Sequence, residues 1–449
     1  MIHKFTFDGA NIVLDVNSGA VHVFDDLAAG LLEELPITPE GRVEFPPGKA
    51  GRPAEAQAEI EGLVREGLLF SPEPLPRGYH PADRGITKAL CLHLAHDCNL
   101  RCRYCFAGQG HFGGPRGLMS VETGKKALDL LLSRSGPRRR VEVDFFGGEP
   151  LLNLGVLKEL VRYGRDKAVA LGKEIKFTVT TNALLLTPAV GDYLNREQLS
   201  AVLSLDGRPE IHDRMRPFPG GAGSYRQALE NAARFVESRA GADYYVRGTF
   251  TRYNLDFAAD VLHLAGLGFN RVSLEPVVAG PEDDYSFREE DLPRLLSEYE
   301  VLTRELLTLY RRGRPLDYFH FNIDLAGGPC LAKRLSGCGA GYEYLAVTPE
   351  GSIYPCHQFV GRPGFSMGNV RSGLQEGPIA QQFQQAHVYN KDDCRSCWAK
   401  FLCSGGCHAN AVSFNNSLVQ PYRTGCVITR KRLECALYLK AAVAGIITW

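Results

Sequence analysis

Residues 89–105 read ALCLHLAHDCNLRCRYC. Ala89–His96 is expected to form a strand, and it runs straight into Cys98-Asn99-Leu100-Arg101-Cys102-Arg103-Tyr104-Cys105, a C-x3-C-x2-C spacing. Three thiolates in one loop can hold three irons of a 4Fe-4S cube and leave the fourth open, as binding a reactant requires. Zinc prefers four ligands in paired C-x2-C knuckles, so it fits this loop poorly.

Downstream, strands alternate with helices. The expected strands are Ala89–His96, Val141–Phe146, Ile175–Thr181, Ala201–Leu205, Tyr244–Thr251 and Arg271–Glu275. Helical patterns cover Ser120–Ser133, Leu154–Leu171, Pro188–Glu197, Ser224–Arg239 and Phe257–Ala265. Ser120 reads as an N-cap, and Thr187-Pro188 as a cap followed by proline at the first helical position. Six βα repeats imply an α/β fold with a parallel sheet closed or partly closed like a barrel. Ligands in such sheets bind at the carboxyl ends of the strands. Polar groups gather there: Gly147-Gly148-Glu149-Pro150, Thr181-Asn182, Asp206-Gly207 and Glu275-Pro276. Leu292–Arg312 reads as a long amphipathic helix.

The chain has 449 residues, with 51 basic against 51 acidic. That balance argues against a nucleic-acid partner held by bulk electrostatics. The run Arg138 to Arg140 reads as a solvated connection. No secretion signal and no membrane-spanning apolar stretch are expected, so the reading is cytoplasmic, with no membrane partner. Thirteen cysteines in a reducing compartment point to metal rather than disulfides. Nine of them fall between 330 and 435, in a loop-rich segment of low expected helical content, ended by a closing helix at Ile428–Ala444. Clusters there would supply much of the stability. Cys91 reads as a small core residue; Cys435 carries no assigned role.

The Cys98/Cys102/Cys105 triplet, Tyr104 before the last cysteine, and Gly147-Gly148-Glu149-Pro150 after the second strand resemble the radical S-adenosylmethionine (SAM) superfamily over residues 88 to about 290. The resemblance implies a partial (β/α)6 barrel in which SAM chelates the open iron. The two glycines would allow close backbone approach, and backbone carbonyls would accept from the SAM ammonium. Glu149 is open to a structural reading instead. By the same resemblance Ser204-Leu205-Asp206-Gly207 lies near the SAM carboxylate and ribose, with Asn182 beside it, and Arg247 pairs with the SAM carboxylate. Ordinary turn chemistry is the competing reading for Ser204 and Asp206. The stretch Glu210 to Arg216, containing His212-Asp213, is similar to peptide-modifying members.

Cys338-x12-Gly351-x4-Cys356, then Cys394-x2-Cys397-x5-Cys403-x3-Cys407, then Cys426, resembles the SPASM domain at all seven cysteines. That resemblance implies two auxiliary 4Fe-4S clusters, hence three in all. The distal one would take Cys394, Cys397, Cys403 and Cys426, and the proximal one Cys338, Cys356 and Cys407. Cys330 is the natural eighth ligand; a permanently closed, an open, and an exchangeable site all remain. A zinc ribbon of Cys394, Cys397, Cys403 and Cys407 would leave three cysteines unexplained.

Residues 1–80 read as three short strands (Phe5–Phe7, Asn11–Val16, Val21–Phe24) and two helices (Leu27–Leu35, Ala54–Glu66), with turns at Asp8-Gly9 and Asn17-Ser18-Gly19. Pro72 to Gly85 reads as a linker. The order resembles PqqD-like RiPP recognition elements, winged-helix-like domains that bind a precursor's leader by β-augmentation. The units expected are therefore 1–80, a radical SAM barrel at 88–313 and a SPASM domain at 328–449.

The whole chain is similar to SCIFF maturases, which act on precursors with six cysteines in forty-five residues. The carrying stretches are Met1-Ile2-His3-Lys4-Phe5 through Val16-Asn17-Ser18-Gly19-Ala20-Val21-His22-Val23, and Tyr354-Pro355-Cys356-His357-Gln358-Phe359-Val360-Gly361. The resemblance implies Cys thioether formation, with Thr as acceptor, in a cysteine-rich precursor, and an electron donor such as ferredoxin or flavodoxin. Sulfatase maturases are the alternative. They generally carry an acidic residue where this chain has His357, and they lack the leader-binding unit. A binding module with purely structural clusters is the other class.

Overall fold

The computed structural model describes residues 1–35, 52–73, 85–239, 243–325, 331–375 and 377–447. Cys330, most of the expected linker and the start of the expected third unit lie outside them.

The strand that opens the cysteine loop, β4 (Ala89–Ala95), is buried at six of its seven positions. A near-continuous apolar run is what a parallel strand covered on both faces requires. It pairs in parallel with β5 (Arg140–Gly147). The ladder continues through β6 (Glu174–Thr181), β7 (Ser200–Ser204), β8 (Tyr244–Phe250) and β9 (Arg271–Pro276). A short β10 (Asp317–Tyr318) adds in parallel beyond β9.

Local chemistry fixes the covering helices. For α3 (Val121–Arg134), Ser120 Oγ accepts from the Thr123 amide. For α5 (Pro188–Arg196), Thr187 caps and Pro188 takes the first position. α4 (Leu154–Ala170) presents Leu157, Leu160 and Val161 inward, and each fully buried aliphatic side chain contributes about 1.5–3 kcal/mol. Close behind follow α7 (Tyr225–Ser238) and α8 (Phe257–Gly266), with the short α6 (Pro209–Met215) before them. The long helix is α9 (Leu292–Arg311).

One strand was not expected. Within the cysteine-rich segment, β11 (Tyr344–Val347) pairs in parallel with β4, placing Tyr344 against Ala89 and Val347 against Leu92. A two-residue β12 (Ile353–Tyr354) closes that edge. The sheet runs β10-β9-β8-β7-β6-β5-β4-β11-β12, so the cysteine-rich segment is built onto the barrel sheet. That segment is also more helical than expected, with helices at Pro378–Gln385 and His408–Asn415. The closing helix starts at Arg423, not Ile428, and ends at Val443, so Cys426 lies in its first turn.

At the N-terminus, β1 (Ile2–Phe7), β2 (Ala10–Asp15) and β3 (Val21–Phe24) form an antiparallel sheet in sequence order. Asp8 and Gly9 both have positive φ (45° and 78°), as the tight hairpin turn demands. The helices α1 (Asp26–Glu34) and α2 (Arg52–Arg65) follow. This sheet is not free-standing. Phe7, Ala10 and Ile12 belong to the same apolar core as the barrel strands. Phe7 stacks on Tyr438 of the closing helix, and His3 lies flat on Trp398 at 3.7 Å between ring centres. No helix among the described residues is long and apolar enough to cross a membrane.

Candidate functional site

The loop after β4 is pinned from several sides. The Arg101 amide donates to Pro217 O (2.9 Å) and the Arg103 amide to Met215 O (2.9 Å), tying the loop to the end of α6. Asn182, just past β6, donates to Asn99 Oδ1 at 2.8 Å and reaches Cys98 Sγ at 3.7 Å. Asp206 is wholly buried and accepts from the Tyr104 hydroxyl, from Arg216 Nε (3.0 Å) and from the Thr249 amide (3.0 Å). The stretch from Asp206 to Arg216 thereby gains a role that sequence left unassigned. His212 Nδ1 accepts from the Asp206 amide (3.4 Å), while its Nε2 meets Ser224 Oγ at 3.1 Å. Asp213 accepts from the Tyr225 amide at the start of α7.

Gly147 and Gly148 serve a backbone contact first. A β-carbon on Gly147 would fall 2.3 Å from Ala95 O, and one on Gly148 2.1 Å from Asp97 O. Gly147 also has φ of +130°. The end of β5 thus presses against the cysteine loop. Glu149 turns inward: it is wholly buried and accepts from Thr181 Oγ1 (2.8 Å), the Asn182 amide (2.9 Å) and the Leu151 amide (3.1 Å). Burial pushes its carboxyl up to about 7 against those bonds.

A cavity of about 910 Å³ opens above the strand ends. Cys98, Cys102, Tyr104, Cys105, Gly147, Gly148, Asn182, Ser204 and Arg247 all line it, whereas Glu149, Pro150 and Asp206 lie behind its wall. Burial drives the Cys98 thiol up to about 11 and Cys102 to about 12. Arg247 is ion-paired with Glu275 at 2.6 Å. Burial opposes the Glu275 charge, yet Arg247, His320 and Arg432 outweigh it and hold the carboxyl below its usual range. The far wall comes from the cysteine-rich segment: His357, Gln358, Arg362 and Asn410. His357 packs on Phe106 and Phe146, and its Nδ1 meets the Tyr344 hydroxyl at 3.3 Å.

The remaining cysteines fall into two neighbourhoods. Cys394 feels Cys403, Cys426 and Cys397, and Cys426 feels Cys403 and Cys397. Cys356 instead feels Cys407 and Cys338, and Cys407 feels Cys338. Cys407 therefore stands apart from the other members of the zinc-ribbon set. Among the described residues, no group of three or more His, Cys, Asp or Glu is arranged to hold a single metal ion. Cys91 is buried in β4 opposite Ala346 of β11, and Cys435 is buried in the closing helix. Sequence reading missed Arg362 and Asn410, whose only signal is a place beside cluster-spaced cysteines. It also missed Lys391, wholly buried three residues before Cys394.

Residues 84–230 match the 4Fe-4S single cluster domain family, and residues 338–398 match the SPASM iron–sulfur cluster-binding domain. The chain is similar to radical SAM/SPASM peptide-modifying enzymes. The PqqA peptide cyclase of Rhodopseudomonas palustris is 27% identical over 73% of this chain and 84% of its own length. An uncharacterized protein of Methanocaldococcus jannaschii is 27% identical over 42% of this chain, which spans only 62% of that relative's length. Among solved structures, anSMEcpe with bound AdoMet superposes with a TM-score of 0.68, at 20% identity, over 80% of this chain and all of that one. Streptococcus suis SuiB bound to precursor peptide SuiA superposes with a TM-score of 0.54, at 16% identity, over 94% of this chain and 98% of that one.

Proposed function

We propose that this chain is a radical SAM maturase that forms thioether crosslinks, from Cys to Thr, in a cysteine-rich ribosomally made precursor. The observation that carries the reading is the shared cavity. One wall is the Cys98–Cys105 loop; the other is His357, Gln358 and Asn410, neighbours in sequence of Cys356 and Cys407. A substrate held there would lie between the Cys98 loop and the residues that flank Cys356 and Cys407.

The residues fit the implied cofactors. Cys98, Cys102 and Cys105 sit on one loop opening onto the cavity, and would hold the catalytic cluster. Asn182, Ser204, Arg247 and the Gly147-Gly148 backbone border the space SAM would fill. Cys394, Cys397, Cys403 and Cys426 would hold a distal auxiliary cluster; Cys338, Cys356 and Cys407 would hold a proximal one, whose fourth position is open or exchangeable between Cys330, outside the described residues, and a substrate thiol. When bound, the cluster and SAM supply a radical that removes a hydrogen atom from carbon. The chain does the rest. Phe106, Phe146 and Phe414 give the cavity apolar surface. Burial pulls the His357 imidazole down to about 4, so it stays neutral near pH 7 and presents a hydrogen-bonding ring rather than a charge to the cavity.

The sheet β1–β3 is the proposed leader-binding element, through the free edge of β3. The SuiB superposition covers so much of the chain that it must include part of this sheet's unit. Ferredoxin or flavodoxin is the proposed electron donor.

The test is anaerobic incubation with SAM, reductant and the peptide encoded by the neighbouring small open reading frame. Tandem mass spectrometry is expected to show loss of two hydrogens, and one fewer alkylatable thiol, per link. Oxidation of a cysteine or serine without a link would favour the sulfatase-maturase alternative.

A further inference from the structure

A buried ammonium lies between the two cysteine neighbourhoods. Lys391 is wholly buried, and its Nζ donates to Gly405 O at 2.8 Å. Gly405 belongs to the turn joining Cys403 to Cys407. A β-carbon there would stand 3.2 Å from Nζ, so the turn is closed down on the lysine. The groups acting on the ammonium are the thiols of Cys394, Cys403, Cys407 and Cys426; among the described residues no Asp or Glu forms an ion pair with it.

A buried charge is costly unless it is paired. Beside neutral thiols this ammonium lacks a counter-charge. Beside thiolates of iron–sulfur centres it has several. We propose that Lys391 is the built-in counter-charge of the auxiliary centres, and that it raises the reduction potential of the group held by Cys394, Cys397, Cys403 and Cys426 above that of the group held by Cys338, Cys356 and Cys407. The proposal rests on the cluster reading above. A fixed positive charge favours the reduced state, which carries one more electron. Cys394 and Cys403, of the first group, act on the ammonium more strongly than Cys407, of the second, so the field is stronger at the first. Burial keeps water from screening it.

The test is an anaerobic redox titration, followed by electron paramagnetic resonance, in a background with Cys98, Cys102 and Cys105 all changed to alanine, so that only auxiliary iron is read. Lys391→Met removes the charge. Lys391→Gln also removes it but keeps a donor for Gly405 O, and Lys391→Arg keeps the charge. Both neutral variants are expected to favour oxidation of the first group at least tenfold, which for one electron is 59 mV, while Lys391→Arg tracks the parent. Loss of iron from both neutral variants, with retention in Lys391→Arg, also supports the charge role. Unchanged midpoints in the neutral variants overturn it, as does iron loss in all three, which assigns Lys391 to packing. A parent without auxiliary iron removes the cluster reading itself.

Discussion

Asp206 binds a tyrosine of the cysteine loop, an arginine after α6 and a backbone amide of β8 at once. With Asp206 fully buried and the Arg216 side chain 12% exposed, removing one partner leaves the other charge stranded. Asp206→Ala is therefore expected to cost about 3–5 kcal/mol, measured by urea unfolding, and a shift below about 1 kcal/mol would show that the pair does not hold the loop. Gly148 gives a sharper test. Alanine would drive a β-carbon into Asp97 O, so Gly148→Ala is expected to lose the cluster of the Cys98 loop and keep the auxiliary iron. Iron per chain would fall by about four from about twelve, as it should when Cys98, Cys102 and Cys105 are all replaced by alanine. Unchanged iron in the triple variant would contradict the assignment. At this scale the Cys98 loop was legible as a motif, because its spacing is local in sequence. The web around Asp206 was not: its partners lie 10 to 102 positions apart, and only the folded sheet unites them.

Among the elements, the strands and helices of the barrel were readable to within one or two residues, because caps such as Ser120 and Thr187 and the apolar runs are local signals. Two of the failed readings have plain physical reasons. Tyr344–Val347 is too short to declare itself among glycines and turns, and only its pairing with β4 makes it a strand. The start of the closing helix was hidden by Thr424 and Gly425, both weak helix formers. The N-terminal sheet offers a prediction at this scale. Val23 pairs with Ile12 on one side, and among the described residues β3 has no further strand on the other. Val23→Pro is expected to weaken leader binding by fluorescence anisotropy while SAM cleavage without peptide persists. Unchanged binding would sink the recognition-element reading. Deleting residues 1–80 is a blunter experiment, since it also uncovers Tyr438 and Trp398.

Across the whole molecule, one cavity, one sheet and one apolar core join parts that sequence separated into three units. β11 makes the cysteine-rich segment an edge of the barrel, and the closing helix packs on both α9 and the N-terminal sheet. Metal should therefore matter beyond its own loops. Iron removal by chelation is expected to open residues 331–447 to protease before the barrel, because ligand binding and folding are coupled there; equal susceptibility of both regions would show that the apolar core alone holds the segment. The central claim is that a radical generated at the Cys98 loop acts on a peptide lying across this cavity. Its most direct test is a precursor carrying threonine deuterated at every carbon, incubated with SAM and reductant. The 5′-deoxyadenosine recovered is expected to carry deuterium, and the peptide to lose a threonine deuterium as each thioether forms. Unlabelled 5′-deoxyadenosine beside a crosslinked peptide would contradict it.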